Sequence, residues 1–115
     1  MHEPRRFVPR VDFISSPGFL DGSPGARERA GLPRGTGPYR VVTSKALYGF
    51  DEATRRMKLL GVRDGLTVEA VVKEMEFEPL VADPMPTLES PTAEELRILR
   101  EEIDPSGVVI GRRAG

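Results

Sequence analysis

Hydrophobic and polar positions follow two periods along this chain, with a long stretch between them that has neither. Val11-Asp-Phe-Ile-Ser15, bounded by Pro9 and Pro17, reads as a short β-strand. Tyr39-Arg-Val-Val-Thr43 reads as a second strand, and Ala46-Leu-Tyr-Gly-Phe50 as a third with Ala46, Tyr48 and Phe50 on one face. Met57 and Leu59 alternate with Arg56 and Lys58 in the next run, 56–62. The polar residues Asp51–Arg55 lie between these two runs, which predicts a β-hairpin. Helical spacing then takes over. Thr67 is a suitable N-cap, and Val68, Val71, Val72 and Met75 share one face of a helix predicted over 68–76, which Pro79 stops. The span 77–82 is expected as a short strand, and the prolines at 84, 86 and 91 make 83–91 an extended connector. Thr92-Ala-Glu-Glu95 is a capping-box signature. It opens a closing helix within 92–105 whose stripe is Leu96, Leu99 and Ile103. Val108–Ile110 is expected as a last strand or a docked tail.

Residues 17–38 have no period. They hold six glycines and four prolines in 22 positions, with Ala26–Ala30 suited to one helical turn. An irregular connection of this length belongs to a functional loop, an interface or disorder. Across the 115 residues, glycine and proline number 12 and 11, and apolar residues make up 38%. That is thin for a self-sufficient core, since a chain of this size buries only about two thirds of its unfolded surface.

Composition narrows the chemistry. With 17 basic and 18 acidic side chains, the charge balance argues against nucleic acid as the main partner. The chain has no cysteine, which removes thiolate catalysis and disulfides. Its single histidine, His2, is expected in a frayed terminus, so neither a histidine metal site nor a Ser-His-Asp set is available. No run approaches the ~18 apolar residues of a membrane span, and Met1–Arg6 lacks the apolar stretch expected of a signal peptide. A cytoplasmic protein is the default.

Few residues remain as site candidates. Gly31-Leu-Pro-Arg-Gly-Thr-Gly-Pro38 could cradle an anion with its amides and Arg34. It matches no nucleotide-binding fingerprint, however, and a strand follows it where a helix would be needed. Turn geometry alone accounts for its glycines. Ser15-Ser16-Pro17-Gly18 ends the first predicted strand, a position where ligands gather in open sheets. The paired carboxylates Asp51/Glu52, Glu94/Glu95 and Glu101/Glu102 fall on turns, caps and solvated faces, and Asp12 within a strand is more often structural than catalytic. Residue by residue, the chain is a small α/β piece with a prominent loop and no catalytic or metal-binding set of its own.

Taken together, Arg6–Leu20, Gly31–Pro38, Tyr39–Asp51, Asp64–Val71 and Pro91–Pro105 resemble, in this order, the C-terminal half of the beta subunit of the two-subunit CoA-transferases, the glutaconate and 3-oxoacid type. The resemblance spans 1–115 as a single segment. It implies an α/β fold with a mixed, layered sheet, present as a half-subunit fragment. It also implies an enzyme that moves CoA between carboxylic acids, with a coenzyme A thioester as substrate and no covalently bound cofactor. In such enzymes a glutamate attacks the acyl-CoA and becomes a glutamyl-CoA thioester. That glutamate is expected outside this chain, so no catalytic residue is assigned within it. Ser16, Gly18, Arg34, Gly35, Thr36 and Gly37 are the candidates for contact with substrate, CoA or a neighbouring chain. The expected partners are an alpha subunit and an N-terminal beta-subunit segment. Ser16–Gly22 and Pro24–Glu28 also resemble beta subunits of the ring-opening hydrolases of steroid degradation, which bind CoA thioesters and cleave a carbon–carbon bond. A non-catalytic assembly protein is the third reading.

Overall fold

A computed structural model describes residues 1–111. Its centre is the hairpin that the alternation predicts: β2 (Ala46–Phe50) pairs antiparallel with β3 (Met57–Arg63). Asp51 builds the turn. Its Oδ2 accepts from the Thr54 amide at 2.8 Å and the Thr54 hydroxyl at 2.7 Å, and its own amide donates to the Arg56 carbonyl at 2.9 Å. These bonds hold the Asp51 carboxyl below its ordinary pKa, the Thr54 hydroxyl first among the causes.

The hairpin departs from strict alternation at one place. Leu47 pairs with Gly61 while Tyr48 pairs with Leu59, so Leu60 is an extra residue in β3. This bulge moves the buried face from Leu59 to Val62, three positions on, and keeps Val62 opposite Ala46. β1 (Val41–Val42) pairs antiparallel with β2, and beyond β3 lie two short parallel strands, β4 (Leu80–Val81) and β5 (Thr87–Leu88). The sheet is therefore mixed, as expected.

The helices are shorter than their sequence periods. α1 covers Ala26–Arg29 inside the long loop. α2 covers Val68–Val72, with the Thr67 hydroxyl accepting from the Ala70 amide at 3.2 Å, and is followed by turns rather than continuing to 76. Beyond Lys73 the amides of Glu74 and Met75 turn back to the Val71 and Val72 carbonyls, three residues away, and that of Glu76 goes to the Phe7 carbonyl, so the α-helical ladder ends there. α3 covers Ala93–Arg97 and has the full capping box between Thr92 and Glu95. It widens into a π-helical segment over Ile98–Ile103. Neither part buries a residue, and Ile103 is 70% exposed. Val108–Ile110 is neither strand nor docked tail. Its three amides converge on the Asp104 carboxylate at 2.9, 3.0 and 2.9 Å while its side chains face solvent.

The core is Phe7, Ala46, Tyr48, Leu59, Val62 and Val71, with Met57, Val68, Met75 and Phe77 packed around it. His2 joins it, contrary to the expectation of a frayed end. It is 4% exposed, its Nε2 lies 3.1 Å from the Val71 carbonyl and its Nδ1 3.2 Å from the Thr43 hydroxyl. The cause is a 3-10 turn at Pro4–Arg6, which folds the chain back so that the His2 and Phe7 rings pack at 4.6 Å, tilted by 33°. The Glu76 amide then donates to the Phe7 carbonyl at 2.8 Å. Tyr48 lies beneath, and its phenol is pushed up to about 12 by burial and, secondarily, by Glu74.

The predicted strand at 11–15 is absent. Val11, Phe13 and Ile14 are exposed, with no strand beside them to pair with among the described residues. The chain is also open for its size. Its radius of gyration is 17.0 Å, against about 13 Å for a compact domain of this length. Its accessible surface is 8879 Å², against roughly 6,200 Å² for a globular monomer of this mass.

Candidate functional site

Five of the six candidates lie in the long loop, and the structure gathers three of them. A cavity of about 300 Å³ is lined by Gly35, Thr36 and Gly37 on one side and by Phe19, Arg27 and Arg55 on another. Arg27 is the residue that shapes it, and no sequence motif singles it out. One guanidinium nitrogen donates to the Gly18 carbonyl and the other to the Thr36 hydroxyl at 2.9 Å, so this side chain ties the two ends of the loop together. The Thr36 hydroxyl in turn donates a hydrogen bond to the Pro33 carbonyl at 2.7 Å. Phe19 packs edge-on against Phe50 of β2 at 5.1 Å, which anchors the loop to the hairpin. Arg55 of the hairpin turn sits over the Phe19 ring at 5.4 Å. A second set of bonds holds the N-terminal side of α1. Arg29 donates to the Pro24 carbonyl at 2.7 Å and the Ser23 hydroxyl at 2.9 Å, and Asp21 accepts from Ser23.

Gly18 enters this network through its carbonyl. Ser16 and Arg34 are exposed and outside the cavity lining, and Ser16 follows an irregular segment instead of ending a strand. Gly35 and Gly37 both adopt positive φ, at 71° and 142°. They differ in space: a side chain at Gly35 would meet nothing, whereas a Cβ at Gly37 would stand 3.0 Å from Phe19 and 3.4 Å from Arg27. Gly37→Ala is therefore expected to disturb the Phe19–Arg27 packing and cost about 1–3 kcal/mol, and Gly35→Ala only the backbone part of that. Thermal melts of the two variants beside the parent measure the order.

Several carboxylates are held in ion pairs. Glu74 pairs with Lys45, Glu3 with Arg5 and Arg6, and Arg97 with Glu94, Glu101 and Glu102. The Lys45 ammonium holds the Glu74 carboxyl below its ordinary pKa, and Arg6 does the same for Glu3. Among the described residues, no group of three His, Cys, Asp or Glu side chains could hold a metal ion. No helix among them is long and apolar enough to cross a membrane.

No family model matches the chain. It is similar to the beta (B) subunit of glutaconate CoA-transferase of Acidaminococcus fermentans, with 42% identity over 109 residues, covering 95% of this chain and 40% of that protein. The crystal structure of that organism's glutaconate coenzyme A-transferase matches with a TM-score of 0.84 at 41% identity, covering 96% of this chain and 42% of the matched one. The chain is also 32% identical over 107 residues to the IpdB subunit of the cholesterol ring-cleaving hydrolase of Rhodococcus jostii, of which it covers 40%. Over nearly all of its own length, then, the chain is related to CoA-transferase beta subunits. It spans about two fifths of the length of the curated relatives it matches.

Proposed function

We propose that this chain works as one segment of the beta subunit of a cytoplasmic CoA-transferase that moves CoA between carboxylic acids. The observation that carries this reading is the match to the glutaconate CoA-transferase beta subunit, at 42% identity over 95% of the chain. The acyl-CoA thioester is the substrate, and the nucleophilic glutamate comes from polypeptide outside these residues. The partners are an alpha subunit and the remainder of a beta subunit. Within the chain, Ser16 beside the long loop and Gly18, Arg34, Gly35, Thr36 and Gly37 within it face substrate, CoA or the neighbouring subunit. A cavity of about 300 Å³ would take part of a CoA molecule rather than all of it, which fits a site completed by other chains.

The similarity to the IpdB subunit, at 32% identity, supports a second reading as part of a ring-opening hydrolase. One assay separates the two. The assembled complex is given glutaconyl-CoA and acetate. Transferase function yields acetyl-CoA and free glutaconate in equal amounts, with no release of free CoA. Absence of transfer, together with carbon–carbon cleavage of a steroid-derived cyclic ketone thioester, would establish the hydrolase instead.

A further inference from the structure

The two arms of the long loop are joined by one side chain. Arg27 lies nine residues from Gly18 and nine from Thr36, and its terminal nitrogens donate to the Gly18 carbonyl and the Thr36 hydroxyl. Every other hydrogen bond of 17–20 and 33–37 among the described residues reaches no more than three residues along the chain. The base that carries Arg27 is fixed separately. Arg29 donates to the Pro24 carbonyl and the Ser23 hydroxyl, and the Leu32 amide returns to the Arg27 carbonyl at 2.9 Å. Arg27 therefore sets how one arm stands against the other, and the two arms meet the cavity at Phe19 and at Gly35–Gly37.

The clamp carries more than a structural staple requires. Both acceptors are neutral, and Arg27 forms no ion pair among the described residues. Its Nε is buried without an acceptor, beside Gly37, where a Cβ would stand 3.4 Å from that nitrogen. A buried donor left without an acceptor destabilises the loop, and such groups persist where the geometry serves something other than stability. The cavity lining also holds Arg55, again without an ion pair among the described residues, and a single acidic side chain, Glu28. This excess of positive charge suits an anionic ligand.

We propose that Arg27 is a positioning residue for the acyl-CoA: by bridging Gly18 and Thr36 it holds the glycine-rich loop in the shape that receives the thioester. The inference rests on the reading of the chain as a CoA-transferase beta-subunit segment. Arg27 acts through the loop and takes no part in bond making. Without the bridge the two arms must be ordered at the moment of binding, so the loss falls on affinity and leaves the chemical step alone.

The test uses the assembled enzyme in which this stretch is part of the beta subunit, with glutaconyl-CoA and acetate as substrates. We expect Arg27→Ala to raise the KM for glutaconyl-CoA by about tenfold or more with kcat little changed. Free guanidinium ion added to Arg27→Ala should recover part of that loss, and ammonium ion should not. Arg27→Lys keeps the charge but lacks the fork that spans both acceptors, so it should raise KM by a similar factor. If Arg27→Ala lowers the melting temperature of the complex, the KM of the folded, assembled fraction and the guanidinium recovery still decide. An unchanged KM, with kcat falling only as the folded fraction falls, would make Arg27 a structural staple and overturn the proposal. Full activity in Arg27→Lys would overturn the bridge. Loss of assembly with the alpha subunit would show that the loop serves the subunit interface, and would overturn it too. A parent complex that transfers no CoA would overturn the subunit reading itself.

Discussion

Leu59→Ala is expected to destroy cooperative folding of the chain. Leu59 is fully buried, pairs with Tyr48 across the hairpin and sits at the junction with β4 through Val81. Truncating a buried leucine costs about 2–5 kcal/mol. The core consists of six buried residues, Leu59 among them, and two of the other five, Ala46 and Val62, are small neighbours on the same face. Small domains hold only about 5–15 kcal/mol in total, and an open chain lies at the low end of that range. The near-UV signal of Tyr48 and a sharp thermal transition should both disappear in Leu59→Ala. Lys58→Ala, one residue away on a partly exposed position, should change the melt by less than about 0.5 kcal/mol. A Leu59→Ala melt that overlays the parent would show that the core is not where the packing places it.

The second large effect concerns activity. The chain alone is expected to transfer no CoA, with turnover about a millionfold or more below an assembled enzyme, the least that enzymic acceleration usually supplies. Its carboxylates explain why. Glu3, Glu74, Glu94, Glu101 and Glu102 are paired with basic side chains and Glu95 closes the α3 cap, so these serve the fold. There is no cysteine to act in place of a glutamate, and His2 is buried in the core. The open surface predicts in addition that the purified chain self-associates, which size-exclusion chromatography over a concentration series measures. Turnover by the chain alone that a single glutamate substitution abolishes would contradict this.

Local signals in the sequence proved legible where a few neighbouring residues decide the outcome. The hairpin turn at Asp51, the Thr67 cap and the Thr92–Glu95 box are all set within six residues or fewer. What depended on distant partners was not legible. The run 11–15 has strand composition, yet a strand exists only where another strand meets it. His2 gave no pattern of its own, because its place depends on Thr43 and Val71, 41 and 69 residues away. The stripe of Leu96, Leu99 and Ile103 was visible, but Leu96 and Leu99 are only half-buried and Ile103 stays exposed. In the candidate site the glycines drew attention by composition. Arg27, which joins Gly18 to Thr36, looked like one arginine among many.

Whether this chain is a functional segment of a CoA-transferase beta subunit is decided by a graft. The matching stretch of the Acidaminococcus fermentans beta subunit is replaced by this chain, the chimera is assembled with its alpha subunit, and transfer of CoA from glutaconyl-CoA to acetate is measured. We expect an assembled enzyme with transferase turnover well above the rate without enzyme, because the chain is 42% identical to that relative over 109 residues and matches the solved structure with a TM-score of 0.84. A chimera that assembles and melts like the parent enzyme but transfers no CoA would contradict it.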